Sequence, residues 1–164
     1  MAITKIQSES VNLADDFAFT GTVSGAGGVN EAEFSVRISG SGSTGLAHAT
    51  TTIIPFASVE FDSDGVFNTS TYKFTAPSAG KYYFNWCVRK SGFTAARFYI
   101  DILKSDSGIA TFENGGGSIY GNIGGSIIVD LEQNDTMHAV MYQNDGATRN
   151  ISNNNTRFCG YKLI

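Results

Sequence analysis

Lys81-Tyr82-Tyr83-Phe84-Asn85-Trp86-Cys87-Val88-Arg89 is the most strand-like stretch of the chain. In an extended backbone Tyr82, Phe84, Trp86 and Val88 point to one side, and Tyr83, Asn85 and Cys87 to the other. Both sides carry apolar or semi-polar groups. That is the pattern of a central strand covered on both faces, so the fold is expected to be built around a sheet with this strand inside it.

Turn signals bracket it. Pro77-Ser78-Ala79-Gly80 precedes it and Ser91-Gly92 follows. Upstream, residues 66–75 alternate with Phe67, Tyr72 and Phe74, after the turn signal Asp62-Ser63-Asp64-Gly65. Residues 50–59 are β-branched but contain Pro55, which suits an edge or a strand start. Residues 33–38 alternate, and residues 39–45 read as a Ser/Gly loop. Downstream, strands are expected over residues 97–103, 107–112, 124–131, 136–143 and 157–164. Asn114-Gly115-Gly116-Gly117, Asn134-Asp135 and Asn144-Asp145-Gly146 punctuate them. About ten strands at this spacing predict an all-β sandwich or jelly roll, and no stretch reads as a helix longer than a turn.

Composition agrees. Gly, Ser, Thr and Asn make up 63 of the 164 residues, and only 16% are charged. A helical bundle or doubly wound α/β fold does not fit this scarcity of helix formers. A hydrophobic share of 41% with 12% aromatics is enough to fill a core. The net charge of −4 and the lack of a basic cluster argue against nucleic acid as the partner. No apolar run approaches the roughly 20 residues of a membrane helix. Met1-Ala2-Ile3-Thr4-Lys5-Ile6-Gln7-Ser8-Glu9-Ser10 does not read as a signal peptide, so synthesis in the cytosol is expected. Cys87 and Cys159, 72 positions apart, show no zinc spacing. Free thiols are then the expected state.

The chemistry of catalysis is not written in the chain. His48 and His138 stand in no recognisable nucleophile–base arrangement and read as surface or packed histidines. Asp62, Asp64 and nearby Glu60 partly imitate a calcium loop, without its distal Glu, and read as a β-turn. Gly115-Gly116-Gly117 and Gly124-Gly125 are not phosphate loops, because no Lys-Ser/Thr follows. Trp86 could stack on a sugar, but a place in the core is expected. No catalytic residue, cofactor or metal site is therefore assigned. A glycan depolymerase is the least favoured reading.

A resemblance emerges over residues 54–88. Ile54 and Phe56, then Tyr72, Phe74, Pro77, Gly80, Tyr82 and Phe84, resemble the pattern of the complement C1q globular-head family, a branch of the tumour-necrosis-factor-like jelly rolls. Phe34-Ser35-Val36 resembles its opening strand. Val129-Asp130-Leu131-Glu132-Gln133-Asn134-Asp135-Thr136-Met137 resembles its Leu-x-Leu-x-x-Gly-Asp-x-Val turn. Asn134 stands at the usual Gly, and Asn also tolerates the left-handed conformation. Residues 157–164 resemble the closing strand. The resemblance implies a ten-stranded jelly-roll sandwich and a compact homotrimer. Tyr83 and Asn85, opposite the core-facing side chains, are the expected interface positions.

Residues 1–23 alternate weakly through Ile3, Ile6, Val11, Leu13, Phe17 and Phe19, and Phe17-Ala18-Phe19-Thr20-Gly21-Thr22-Val23 reads as a period-two strand. Ser24-Gly25-Ala26-Gly27-Gly28 forms a glycine-rich joint. Two regions follow: an attachment segment over 1–28 and a jelly-roll head over 29–164. The first resembles the start of bacteriophage fibre and tail-associated virion proteins. The expectation is a non-enzymatic virion component, a fibre tip or decoration protein, made in the host cytoplasm. Its segment would dock on other virion proteins through Ile3, Ile6, Val11, Leu13, Phe17 and Phe19. Loops at 39–45, 91–94, 114–122 and 144–155 would meet a host surface glycan or receptor. The alternative is a secreted or surface-displayed bacterial binding module of the same fold.

Overall fold

The computed structural model describes residues 32–93, 97–114 and 120–163. The proposed attachment residues, the joint at 24–28 and Gly115-Gly116-Gly117 lie outside the described residues.

Among the described residues, thirteen strands form two antiparallel sheets. The larger is organised on β7 (Gly80–Ser91), the strand that the sequence singles out. β10 (Tyr120–Leu131) pairs with all twelve of its residues on one side. The other side is shared. β13 (Arg157–Lys162) pairs with Tyr82 to Cys87, and β12 (Arg149–Ser152) pairs with Lys90 and Ser91. β1 (Phe34–Arg37) and then β4 (Ser58–Asp62) lie beyond β13, and β2 (Ser43–Leu46) lies beyond β12.

The smaller sheet is ordered β5 (Phe67–Asn68), β6 (Lys73–Thr75), β11 (Thr136–Gln143), β8 (Phe98–Lys104) and β9 (Ser107–Asn114). β3 (Thr52–Ile53) also pairs with β11.

Alternation drives the inner faces together. Tyr82, Phe84, Trp86 and Val88 of β7 are buried, as are Phe98, Ile100 and Ile102 of β8 and Met137, Ala139 and Met141 of β11. Phe34 sits among Phe67, Phe74 and Phe158, with ring centroids 5.0–5.2 Å apart. Each such ring removes about 2–3 kcal/mol worth of apolar surface from water. The buried Tyr82 hydroxyl donates to the Ser78 carbonyl at 2.7 Å. Trp86 packs edge-on against Phe112 at 4.8 Å, so it belongs to the core and is no sugar platform.

Three expectations need correction. The stretches 39–45 and 144–155, loops by composition, hold most of β2 and all of β12, paired with Thr44 opposite Ile151. Their Ser/Gly/Asn composition hides a buried Leu46 and Ile151, and polar side chains complete the packing. Asn153, itself buried, donates to the Ser39 carbonyl at 2.9 Å and accepts from the Thr44 hydroxyl at 2.8 Å. Residues 50–59 are not one strand. The chain leaves the smaller sheet after Ile53, buries Ile54 and Phe56 on either side of Pro55, and joins the larger sheet as β4. Residues 66–75 divide into β5 and β6, because the Asn68 side chain takes the Ser70 and Thr71 N–H groups and folds a turn.

The registers give the sandwich a base and a tip. At the base, Leu131 faces Gly80 and Lys162 faces Tyr82. Here the Ala32 N–H donates to Asp64 at 2.6 Å, so the described chain enters at the base. At the tip, Tyr120 and Asn150 both face Ser91. Asn134 has φ +72°, the left-handed conformation its place in the base turn requires.

Candidate assembly interface

Strand register decides which side chains share the outer face of the larger sheet, since cross-strand partners point the same way. Tyr83 faces Ile128 of β10 on one side and Tyr161 of β13 on the other. Asn85 faces Ser126 and Cys159. Cys159 faces Ser35, and Ser35 faces Phe61 of β4. Ile128 is 61% exposed, Phe61 51% and Tyr161 40%, while the Tyr83 and Tyr161 rings lie 5.4 Å apart. Large apolar side chains gathered on one face of a single chain mark a surface that another molecule covers. The two sequence-predicted positions, Tyr83 and Asn85, are half-buried on this face. Asn85 donates to the Gly125 carbonyl at 3.1 Å, which satisfies part of its amide.

Charges sit at the margins. Toward the base, Lys81 pairs with Asp130 at 2.6 Å. Toward the tip, a bulge in β4 leaves Glu60 without a partner in the ladder, because Ser35 pairs with Phe61 and Val36 with Val59. The bulge turns its carboxylate onto the face. There it accepts from the Ser35 hydroxyl at 2.9 Å and from the Arg157 guanidinium at 2.5 Å. Cys87 and Cys159 are free and half-buried on the same face. Burial, and then the negative Glu60, push the Cys159 thiol above its ordinary value, so it stays protonated at neutral pH.

A second adhesive feature is the edge of the larger sheet. Among the described residues, β10 pairs only with β7, and its first ten residues carry no charge. Long uncharged edges template further association unless they are covered. Gly124 and Gly125 set how closely β10 approaches. A Cβ on Gly124 would lie 2.4 Å from the Trp86 carbonyl oxygen, and one on Gly125 would lie 2.5 Å from the Phe112 ring.

Sequence reading did not place Ile128, Tyr161, Phe61 or Glu60 on this face; it weighed Glu60 only beside Asp62 and Asp64. The alternation of β13, with Phe158 inward and Tyr161 outward, was available as a signal. Phe61 and Glu60 depend on a bulge that no periodicity announces.

Of the remaining flagged groups, the aspartates and His48 have structural partners. Asp62 accepts from the Val66 and Phe67 N–H groups at 2.8 and 3.1 Å, and Asp64 accepts from Ala32. Among the described residues no three His, Cys, Asp or Glu side chains gather as a metal centre would need. His48 accepts from the Gly146 N–H at 3.0 Å. His138 is buried, with Nε2 3.6 Å from Asp106, whose carboxylate is held by Lys73 at 2.5 Å.

The fold has counterparts among known proteins. No curated protein matches the chain in sequence. The globular domain of zebrafish complement 1qA is similar in structure, with TM-score 0.62, 18% identity, and coverage of 81% of this chain and 97% of that one. Eiger TNF from S. frugiperda gives TM-score 0.60 at 9% identity, covering 83% and 94% of the two chains. Murine APRIL gives 0.59 at 10% identity, covering 80% and 98%. The family model of the C1q domain matches residues 34–163. By that match, and with the jelly-roll sandwich that carries it, this chain belongs to the C1q domain family.

Proposed function

We propose that the chain is a non-enzymatic structural protein of a bacteriophage virion, a trimeric head that projects from the particle and contacts the host cell surface. Members of the C1q/TNF family form homotrimers. The surfaces described above suit one. The apolar outer face and the uncharged β10 edge are different patches, so contact between copies is heterologous and closes as a ring.

The observation that carries the rest is polarity. The described chain enters at the base, beside Asp64, and the tip lies at the far end of the strands. An attachment segment at 1–28 therefore leaves from the end opposite the tip. The tip segments supply Asn, Ser, Thr and Gly hydrogen-bonding groups suited to a polar glycan. They are held on a framework: buried Gln143 donates to the Leu46 and Ala147 carbonyls at 3.0 and 2.9 Å.

Immunogold electron microscopy of the parent particle, labelled on this chain, tests the proposal. Gold on projecting structures is the expected result. Gold absent from purified particles and present on the bacterial envelope would contradict it and favour a surface-displayed binding module.

A further inference from the structure

The proposed trimer contacts lie on the larger sheet and assign no partner to the outer face of the smaller one. At the tip end of that sheet Gln143 faces Phe98, and Tyr142 faces Tyr99. Phe98, Ile100, Met141 and Gln143 are buried, so both tyrosines point outward, where they are half-buried. Their rings stack with centroids 5.0 Å apart and 18° between the planes.

One end of this stack is closed and braced. β8 lies between β11 and β9, so Tyr99 meets Tyr142 on one side and Glu113, its partner in β9, on the other. Glu113 accepts from Nε and Nη2 of Arg97 at 2.7 and 3.2 Å. That holds the guanidinium 4.7 Å from the centre of the Tyr99 ring, a cation–π contact. The Arg97 backbone is fixed too. Its N–H donates to the Asn144 side chain at 2.9 Å, and its carbonyl accepts from the Asn144 N–H at 3.2 Å.

The other end is open. β3 pairs Thr52 with Met141, which brings Thr51 alongside Tyr142. Among the described residues no ring besides Tyr99 packs on Tyr142. Thr50 and Thr51 are exposed, and the Thr50 hydroxyl donates to the His48 carbonyl at 3.1 Å, which leaves its lone pairs to accept. A rigid ring with one face covered and hydroxyls beside the other suits the C–H face of a sugar, whose own hydroxyls lie at its rim. Charge selects among sugars. Glu113 cancels Arg97, and the next row of the face carries Asp101, which accepts from the Thr111 hydroxyl at 2.6 Å. An acidic sugar is repelled there and a neutral one is not.

We propose that the open face of Tyr142, backed by Tyr99 and Arg97 and flanked by Thr50 and Thr51, binds a neutral pyranose of the host surface. This rests on the reading of the tip as a glycan-contacting end and names its sugar class and site.

Methyl β-galactopyranoside, methyl β-glucopyranoside and the acidic methyl β-glucuronide, titrated into the full-length protein and followed by amide NMR shifts, test this. At least one neutral glycoside binds with a dissociation constant on the order of millimolar, shifts Thr51, Tyr99 and Tyr142, and binds more tightly than the glucuronide. Tyr142→Ala weakens that binding at least about tenfold, and Tyr142→Phe, which keeps the ring, by less than about threefold. No saturable binding of either neutral glycoside, shifts confined to other parts of the chain, or an unchanged affinity in Tyr142→Ala overturns the proposal. So does a glucuronide that binds as tightly as the neutral probes. Particle labelling separates this from the virion reading. Glycoside binding at Tyr142 with no gold on particles refutes that reading alone, and gold on particles with no glycoside bound refutes the sugar site alone.

Discussion

Asp135 anchors the base turn with one carboxylate. It accepts from the Glu132 N–H at 2.8 Å and the Ser105 hydroxyl at 2.8 Å, with the Lys104 ammonium at 3.0 Å. These donors, the backbone N–H first, hold its pKa at about 2. A carboxyl whose folded pKa is depressed contributes stability above its unfolded value, and that stability is lost as pH falls toward the folded one. Thermal melts should therefore lose stability between about pH 4 and pH 2, and Asp135→Asn should flatten that limb. His138 acts in a different window. Burial, more than the nearby Lys73, pushes its pKa down, and Asp106 opposes this only weakly. A base with a depressed folded pKa gives its full contribution above the ordinary imidazole value and loses it on acidification below about 6.5. His138→Gln should remove the pH dependence of the melting temperature just below that value. Gly124 offers a steric counterpart. Its added Cβ would meet backbone at 2.4 Å, whereas that of Gly125 would meet the turnable Phe112 ring. Gly124→Ala should cost about 1–3 kcal/mol in denaturant melts, and Gly125→Ala less.

At the scale of elements, the tip is held by polar side chains. Asn153→Ala would strip the Ser39 carbonyl and the Thr44 hydroxyl of a partner each, in a buried setting. A loss of about 1–3 kcal/mol is expected, with faster amide exchange confined to β2 and β12. An equal rise in exchange across β7 would contradict this division. The same elements show what a sequence discloses. β7, β8 and β11 were legible because a single strand states its own period, with Phe84 and Trp86 inward against Tyr83 and Asn85 outward. β2 and β12 were not, because their pairing joins positions more than a hundred residues apart, and Asn153 packs through hydrogen bonds that hydropathy does not weigh. Tyr83 and Asn85 could be placed on an outer face from β7 alone. Ile128, Tyr161 and Phe61 join them only through strand order and the Glu60 bulge, which are properties of the sheet.

For the whole molecule, the outer face and the β10 edge are the features that a single chain leaves exposed. In the proposed trimer they close against each other in a threefold ring. A charge placed in the middle of that contact would be buried without a partner at each of the three interfaces. Such a charge costs on the order of 3–5 kcal/mol, so Tyr83→Glu should give folded monomers at micromolar concentration. The parent chain itself provides the most direct test. Its mass under native conditions at micromolar concentration should be three times 17.5 kDa, in a single species. A clean 17.5 kDa monomer under those conditions would contradict the account.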